Sequence, residues 1–341
     1  MRLPLFRQTI SVNVIMLKVM LALLPALFAY IYYFGPAVVV QIVLASLTVL
    51  AAEAVMLKLR RQPVLPFLAD GSALVTGWLL ALSLPATAPW WLTVVACLFA
   101  IVVAKHLYGG IGNNLLNPAM VGYAVMLISF PAYMTQWLTP DSLHAAPGLG
   151  ESFRLIFGSS PPLDGLTMAT PLDTAKTQLK LDLTLGEIVK QPIFGLLGGK
   201  GSEMVALGYL FGGLFLWQQR IITWHIPAAM LGSLFAVSGL FWMIDADRYV
   251  SPVFHLFTGA AMLGAFFIAT DPVTGATTPR GKLIFGAGIG LLVFFIRTFG
   301  GYPDGVAFAV LLLNLCVPLI DAHTQPPVFG HKNAHKKGSP D

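Results

Sequence analysis

The chain has 341 residues, of which 57% are hydrophobic and only 10% are charged, with a formal net charge of +5 and a mean hydropathy of +0.78. Soluble domains carry about 25% charged residues, so this composition excludes a soluble protein and indicates an integral membrane protein. The two cysteines, Cys97 and Cys316, exclude a self-contained iron–sulfur cluster, which needs four protein ligands, usually cysteines.

The first half of the chain, residues 1–133, contains five predicted spans. The run at 14–34 is longer than the apolar core of a signal peptide and lacks a small-residue cleavage site, so we expect it to be retained as the first span. The other four spans are predicted at 37–57, 71–86, 90–105 and 118–133. Each is an apolar run bounded by Pro, Gly or charged residues, with a length near the ~20 residues that cross a bilayer.

A polar stretch at 134–202 follows, and its charges exclude it from the bilayer. The second half, residues 203–320, contains five more predicted spans at 203–217, 225–244, 254–270, 282–298 and 304–320. We expect the basic tail, residues 321–341, to be a solvated end beside anionic lipid head groups. The predicted fold is an all-α polytopic membrane protein with about ten transmembrane helices and one external polar loop.

The positions of Lys and Arg predict the orientation of these spans. Short cytoplasmic loops are enriched in basic residues. If the N-terminus is cytoplasmic, the opposite side holds only Arg248 and Arg297 outside the polar stretch, and the other basic residues of the short loops and the tail lie on the cytoplasmic side. We therefore expect both termini in the cytoplasm, residues 134–202 in the periplasm and the chain in the inner membrane of a bacterial cell.

Three landmarks recur in the same order in the two halves. They are GWLLALSLP (77–85) and GAFFIATDP (264–272), Tyr108-Gly109-Gly110 and Phe299-Gly300-Gly301, and AVML (124–127) and AVLL (309–312). Because each half has an odd number of spans, the repeat would be inverted, and such folds carry sites near the mid-plane where interrupted helices meet. The glycine-rich stretches 107–118 and 299–305 are the candidate interruptions, with ordinary glycine turns as the alternative.

The polar stretch contains the segment DGLTMATPLDTAK, residues 164–176. Thr170 is a favoured helix N-cap, Pro171 suits the first helical position, and Asp173 stands where a capping box has its acidic residue. Taken alone, this pattern predicts a well-capped helix start.

Together with the rest of the chain, the Thr167–Asp173 pattern resembles the flavin attachment site of the membrane subunits of Na⁺-translocating NADH:quinone reductase and of the Rnf electron-transport complex. In that family an S-x-A-T motif carries FMN through a phosphoester to the last threonine. Further segments are similar to the corresponding Rnf membrane subunits over nearly the whole chain. They are DGSALVTGWLLALSLP (70–85), KHLYGGIGNNLLNPAMVGY (105–123), MLGAFFIATDPVTGATT (262–278) and RTFGGYPDGVAFAVLLLNLCVPLID (297–321).

The resemblance implies an FMN bound covalently to Thr170, with Thr167, Ala169, Pro171 and Asp173 around it. Thr167 stands where the family usually has serine and is the less favoured acceptor. An FMN phosphate at a helix start would be stabilised by unpaired backbone N–H groups and by the helix dipole. The similar TGAT segment at 274–277 falls on the cytoplasmic side of the predicted topology, so we assign no flavin to it.

The family also implies a second, non-covalent flavin, riboflavin, whose pocket this sequence does not identify. It implies electron transfer coupled to translocation of Na⁺ or H⁺. The implied partners are other membrane and peripheral subunits of an Rnf-type complex, including a second flavinylated subunit and iron–sulfur subunits, together with the lipid bilayer. We expect no nucleic acid partner.

Ionisable residues within predicted spans are candidates for an ion path. Such groups are costly in a bilayer and usually face protein or water. Glu53 lies in the second span, and Asp271 and Asp304 stand at span ends in the second half. The alternatives are a pair between Glu53 and Lys18, snorkelling of Lys18, and helix capping by the two aspartates.

A second interpretation of the whole chain is a flavin-free channel or secondary transporter, because inverted five-helix repeats are a transporter-like architecture. The chain shows no P-loop, Rossmann glycine pattern or metal-site spacing in a plausible setting. If it takes part in redox chemistry, NAD(H) must therefore be handled by another polypeptide, and this chain is not a complete enzyme by itself.

Overall fold

The computed structural model describes residues 11–108, 112–158, 165–181, 183–302 and 304–325. Within these ranges the chain is mostly α-helical, as predicted. The Gly109-Gly110 step of the repeat and the tail beyond Gln325 lie outside the described residues.

The first half consists of helices that follow the predicted spans. They are α1 (Val12–Phe34), α2 (Ala37–Leu59), α3 (Val64–Leu68), α4 (Ser72–Ser83), α5 (Trp90–Leu98), π1 (Phe99–Leu107), α6 (Pro118–Ser129) and α7 (Pro131–Met134). The π-helical segment π1 continues α5 directly, so the two form one rod of 18 residues. The helices α4 and α6 have 12 residues each, shorter than the predicted spans at these positions.

The polar stretch folds into short elements. They are β1 (Trp137–Leu138), α8 (Leu149–Phe157), β2 (Thr167–Met168), α9 (Pro171–Leu179) and α10 (Leu185–Ile188). The second half consists of α11 (Ser202–Gln218), α12 (His225–Ile244), α13 (Pro252–Phe257), α14 (Ala261–Leu263), π2 (Gly264–Ile268), α15 (Pro279–Phe299) and α16 (Val306–Thr324).

Among the described residues, six helices are long and apolar enough to cross a membrane: α1, α2, the α5–π1 rod, α12, α15 and α16. The predicted span at 254–270 is not one helix, because the chain breaks between α13 and α14 at Gly259, whose φ is +61°. Large apolar side chains such as Phe28, Leu47 and Phe211 are exposed on long helices, as expected for surfaces that contact lipid. The chain is a multi-pass membrane protein.

Glycines allow the long helices to pack closely. A Cβ on Gly212 of α11 would overlap the Ala22 carbonyl of α1, and a Cβ on Gly286 of α15 would lie 2.7 Å from the Ile226 carbonyl of α12. Small residues that bring backbones together are typical of helix pairs in membranes. The pairs α1 with α11 and α12 with α15 are the two most extensive helix contacts of the structure.

Two buried asparagines connect the halves. Asn117 caps α6 by accepting a hydrogen bond from the Met120 amide, and its Nδ2 donates to the Ile268 carbonyl at the end of π2. The backbone N–H of Asn117 donates to Oδ1 of Asn314, and Nδ2 of Asn314 donates to the Thr274 carbonyl. Backbone groups in an apolar interior need hydrogen-bond partners. The side-chain amides of these two asparagines provide such partners near the ends of the short helix α6 and the segment π2.

Candidate functional site

The Thr167–Asp173 segment is held as a strand followed by a helix. Thr167 and Met168 form β2, which pairs antiparallel with β1. Thr170 has extended backbone angles and its Oγ1 accepts a hydrogen bond from the Asp173 amide at 3.2 Å. The predicted N-cap is therefore confirmed, and Pro171 occupies the first turn of α9 as expected.

The first turn of α9 docks against two glycines. A Cβ on Gly199 would overlap the Pro171 ring, and a Cβ on Gly259 would lie 2.7 Å from Cδ1 of Leu172. Gly259 also has a positive φ, which glycine adopts without strain. The helical turn that directly follows Thr170 is therefore packed against the chain at both Gly199 and Gly259.

Buried Glu203, in the first turn of α11, shapes the Gly199 loop. Its Oε2 accepts hydrogen bonds from the Leu197 amide at 2.8 Å and the Gly198 amide at 3.2 Å. A carboxylate that receives two backbone N–H groups at a helix start also complements the helix dipole. The loop that contacts Pro171 is therefore anchored to the long helix α11.

The other end of α9 is joined to the second half. Lys176 donates from Nζ to the Tyr302 carbonyl at 2.8 Å and to the Ile296 carbonyl at 3.4 Å. Ile296 lies in the last turn of α15, and its carbonyl also accepts a hydrogen bond from the Gly300 amide at 3.0 Å. Partial burial lowers the pKa of the Lys176 ammonium, with a further lowering by Lys180 and a raising by Asp173.

An ion pair stands beside this junction. Arg297 is buried and donates to the His255 carbonyl at 2.6 Å, to the Thr258 carbonyl at 3.1 Å and to Oδ1 of Asp304 at 3.2 Å. Asp304 also accepts from the Ala260 amide at 2.7 Å and the Val306 amide at 3.2 Å. The Arg297–Asp304 pair therefore fixes the backbone around Gly259, against which α9 packs.

A cavity of about 190 Å³ is lined by Thr170 and by other residues of the polar stretch and of both halves of the chain. Thr170, Ala169, Pro171 and Asp304 all line it, so the structure brings these predicted site residues together. Thr167 and Asp173 are not among its lining residues. The rest of its wall is mainly apolar and aromatic, and includes Tyr30, Phe34, Met120, Tyr123, Met134, Trp137, Tyr209 and Leu263, with Lys200 and Ser202 among the polar groups.

Glu53 lies in a separate buried cluster, near the end of α2 opposite to the polar stretch. Its Oε1 is 3.0 Å from Nζ of Lys105, and its Oε2 is 3.1 Å from Nε2 of His106. Lys105 also donates to Oγ of Ser72 at 2.9 Å. The alternative of a Glu53–Lys18 pair is wrong, because Glu53 is paired with Lys105.

Lys18 and Asp271 have partners of their own. Lys18 donates instead to Oε1 of Gln219 at 2.8 Å. Asp271 accepts from Oγ1 of Thr274 at 2.9 Å and from the Val273 amide at 3.3 Å, which is a turn of the capping kind. Glu53, Asp271 and Asp304 therefore lie in three different clusters, and the ion path through them stays a prediction.

Sequence reasoning missed Lys176, Arg297 and the two docking glycines. A signal for Arg297 was present, because a charged residue at the end of a predicted span usually has a partner. Lys176 gave no comparable signal, since its acceptors are backbone carbonyls more than a hundred residues away.

We expect Lys176→Met to loosen α9 without unfolding the protein. The substitution removes a charged donor from two carbonyls, and for a half-exposed group this costs about 1 kcal/mol. Hydrogen exchange of the α9 amides, measured by mass spectrometry, should become roughly fivefold faster. The matched variant Lys180→Met, at an exposed position next to the helix, should leave exchange unchanged, and equal rates in the two variants would contradict the assignment.

Comparison with known proteins agrees with the motifs. The model of the NQR2, RnfD, RnfE family matches residues 2–330. The chain is 54% identical over 334 residues to the D subunit of the ion-translocating oxidoreductase complex of Aliivibrio salmonicida (strain LFI1238), covering 94% of this chain and 95% of that protein.

Two further relatives are D subunits of the same kind of complex. The protein of Aeromonas salmonicida (strain A449) is 52% identical over 339 residues, covering 96% of this chain and 97% of the relative. The protein of Yersinia pseudotuberculosis serotype O:1b (strain IP 31758) is 52% identical over 346 residues, covering 98% of each chain. The chain therefore belongs to the NQR2, RnfD, RnfE family.

Proposed function

We propose that this chain is the D-type membrane subunit of an ion-translocating oxidoreductase complex and relays electrons through an FMN esterified to Thr170. The name of its relatives and the membrane helices support the role as a subunit. The single observation that carries the flavin proposal is the position of Thr170, which caps α9 and lines the cavity.

The residues around Thr170 fit an FMN. A phosphate bound to the Thr170 oxygen would lie at the positive end of α9, where the first backbone N–H groups have no helical acceptor. Lys200 at the cavity supplies a cation. The apolar and aromatic wall suits the flat ring system, which would carry the electrons when bound, while the protein sets its position and potential.

The docking of α9 would fix the distances that electron transfer requires. Gly199 and Gly259 hold its first turn, and Lys176 holds its other end. These contacts connect the proposed attachment point to α11, α15 and the chain break before α14. A flavin on Thr170 would therefore be positioned relative to both halves of the membrane domain.

The orientation proposed from the charges has support in the fold. The Asp141 amide donates to the Tyr33 carbonyl at 2.7 Å, so the polar stretch meets the α1–α2 turn, at the end of α2 opposite to Lys58, Arg60 and Arg61. Because basic loops stay cytoplasmic, the polar stretch and Thr170 belong on the periplasmic side of the inner membrane.

The inverted repeat of five helices is also part of the proposal. Helix pairs at corresponding places pack in both halves: α2 with α4 and α12 with α13, and α5–π1 with α6 and α15 with α16. The α1–α11 contact joins the two halves. This pairing supports a pseudo-two-fold arrangement and, with it, ten membrane-crossing segments, some of them short or interrupted.

The complex would couple electron transfer to movement of Na⁺ or H⁺, and Glu53, Asp271 and Asp304 remain the candidates for an ion path within this chain. A riboflavin and the partner subunits, among them a second flavinylated subunit and iron–sulfur subunits, follow from the family resemblance. A passive channel or secondary transporter is the competing function, favoured by the short helices α4 and α6 and by the break before α14.

Reconstitution of the intact complex into sealed proteoliposomes separates the two functions. Ion uptake should require an added electron donor and acceptor couple, and should fall to background when the complex carries Thr170→Asn, which keeps a helix cap but removes the esterifiable hydroxyl. Uptake that persists in this variant would refute the relay. Ion leakage through the chain alone, without flavin or electrons, would support the channel.

A further inference from the structure

The helix α8, in the polar stretch, has an apolar stripe that nothing in the described part of the chain covers. Leu149, Phe153 and Phe157 are 59%, 55% and 39% exposed. Residues four apart lie on the same side of a helix, and the rings of Phe153 and Phe157 are in contact, with centroids 4.4 Å apart. An apolar stripe of this kind in contact with water would be unfavourable.

The helix α8 lies beside the turn between the first two predicted spans. It packs against α2, and the chain just before it contacts the α1–α2 turn: a Cβ on Gly35 would lie 3.0 Å from Cβ of Ala146 and 3.2 Å from the Pro147 carbonyl. A turn between two consecutive spans marks one face of the bilayer. Exposed Tyr32, one turn before Gly35, is an aromatic residue of the type enriched at that depth.

The distribution of side chains around α8 fits a helix lying flat on this face. Each residue advances the direction of the side chain by about 100°, so the exposed stripe is flanked on one side by Ser152 and Ile156, which are buried, and on the other by Arg154, which is exposed. The helix therefore has a protein side, an apolar side and a basic edge. With 9 residues it is too short to cross the hydrocarbon core.

We propose that α8 is an interfacial helix whose Leu149, Phe153 and Phe157 insert between the lipids beside α2. The helix α2, against which α8 packs, is itself exposed at Val43. Arg154, at its edge, lies where it can meet lipid phosphates, and interfacial helices combine an apolar face with basic residues in this way. This placement does not depend on the flavin, so it can be tested independently of the proposed function.

Depth-dependent quenching tests the proposal on the intact complex. Phe153→Cys and Phe157→Cys, each with Cys316→Ala and with Cys97 left buried in the core, are labelled with a polarity-sensitive fluorophore. The complex is then placed in nanodiscs that contain lipids with a spin label near the head group. The matched control is Glu151→Cys, on the exposed polar side of the same helix.

The labels at positions 153 and 157 should be quenched by the spin-labelled lipid about threefold more strongly than the label at 151, whereas aqueous Co²⁺ should quench the label at 151 preferentially. Lipid quenching that is equal at all three positions would overturn the proposal. Lipid quenching seen in the isolated chain but lost in the complex would also overturn it, because the stripe would then be a docking surface for another polypeptide of the complex.

Discussion

Thr170→Val should remove all covalently bound flavin from the chain. We propose the Thr170 hydroxyl as the acceptor because of the family motif and because Thr170 lines the cavity and caps α9, and valine keeps the shape of threonine without an oxygen. The wild-type band, produced together with the flavin transferase, should fluoresce under ultraviolet light on a denaturing gel. The Thr170→Val band should be dark, and mass spectrometry of the intact chain should show the loss of one FMN.

Two further variants separate attachment from folding. Thr170→Val also deletes an N-cap, which costs about 1 kcal/mol, whereas Thr170→Asn retains capping and should be equally dark in a well-folded complex. Thr167→Val should remain fluorescent. If Thr170→Val still fluoresces and Thr167→Val does not, Thr167 is the acceptor, and a dark wild-type band would refute flavinylation altogether.

The cap at Thr170 could be predicted because its information is local. A hydroxyl residue followed by proline is a favoured helix start. Ser251-Pro252 and Thr278-Pro279 begin helices in the same way, although Thr139-Pro140 precedes only a turn. The long helices were predictable for a similar reason, since hydropathy along about 20 residues reports directly on membrane crossing.

The environment of Thr170 could not be predicted, because it depends on contacts between distant parts of the chain. Leu172 meets Gly259, and Lys176 meets carbonyls at the end of α15. The break before α14 could not be predicted from the sequence for a different reason. Apart from His255 and Thr258, the residues on both sides of Gly259 are apolar, so the hydropathy profile stays high while the backbone turns through a positive φ.

Glu53→Leu should strongly destabilise the membrane domain. Glu53 is fully buried and its carboxylate contacts Lys105 and His106. Removing one partner of a buried ion pair leaves the other charge uncompensated, which costs about 3–5 kcal/mol. Thermal or denaturant titration of the purified complex in detergent should show this loss of stability. The control variant Glu151→Leu, at an exposed position, should show no such loss.

The double variant Glu53→Leu/Lys105→Met distinguishes a structural pair from a residue of the ion path. Replacing a buried ion pair by apolar residues of similar volume is often neutral, so the double variant should recover most of the lost stability. If Glu53 serves only to balance Lys105, redox-driven ion uptake should recover with it. If Glu53 is on the ion path, the double variant should be stable but should transfer electrons without ion uptake, because a hydrocarbon side chain offers neither charge nor oxygen to a passing cation. A double variant as unstable as the single one would contradict the pairing of Glu53 with Lys105.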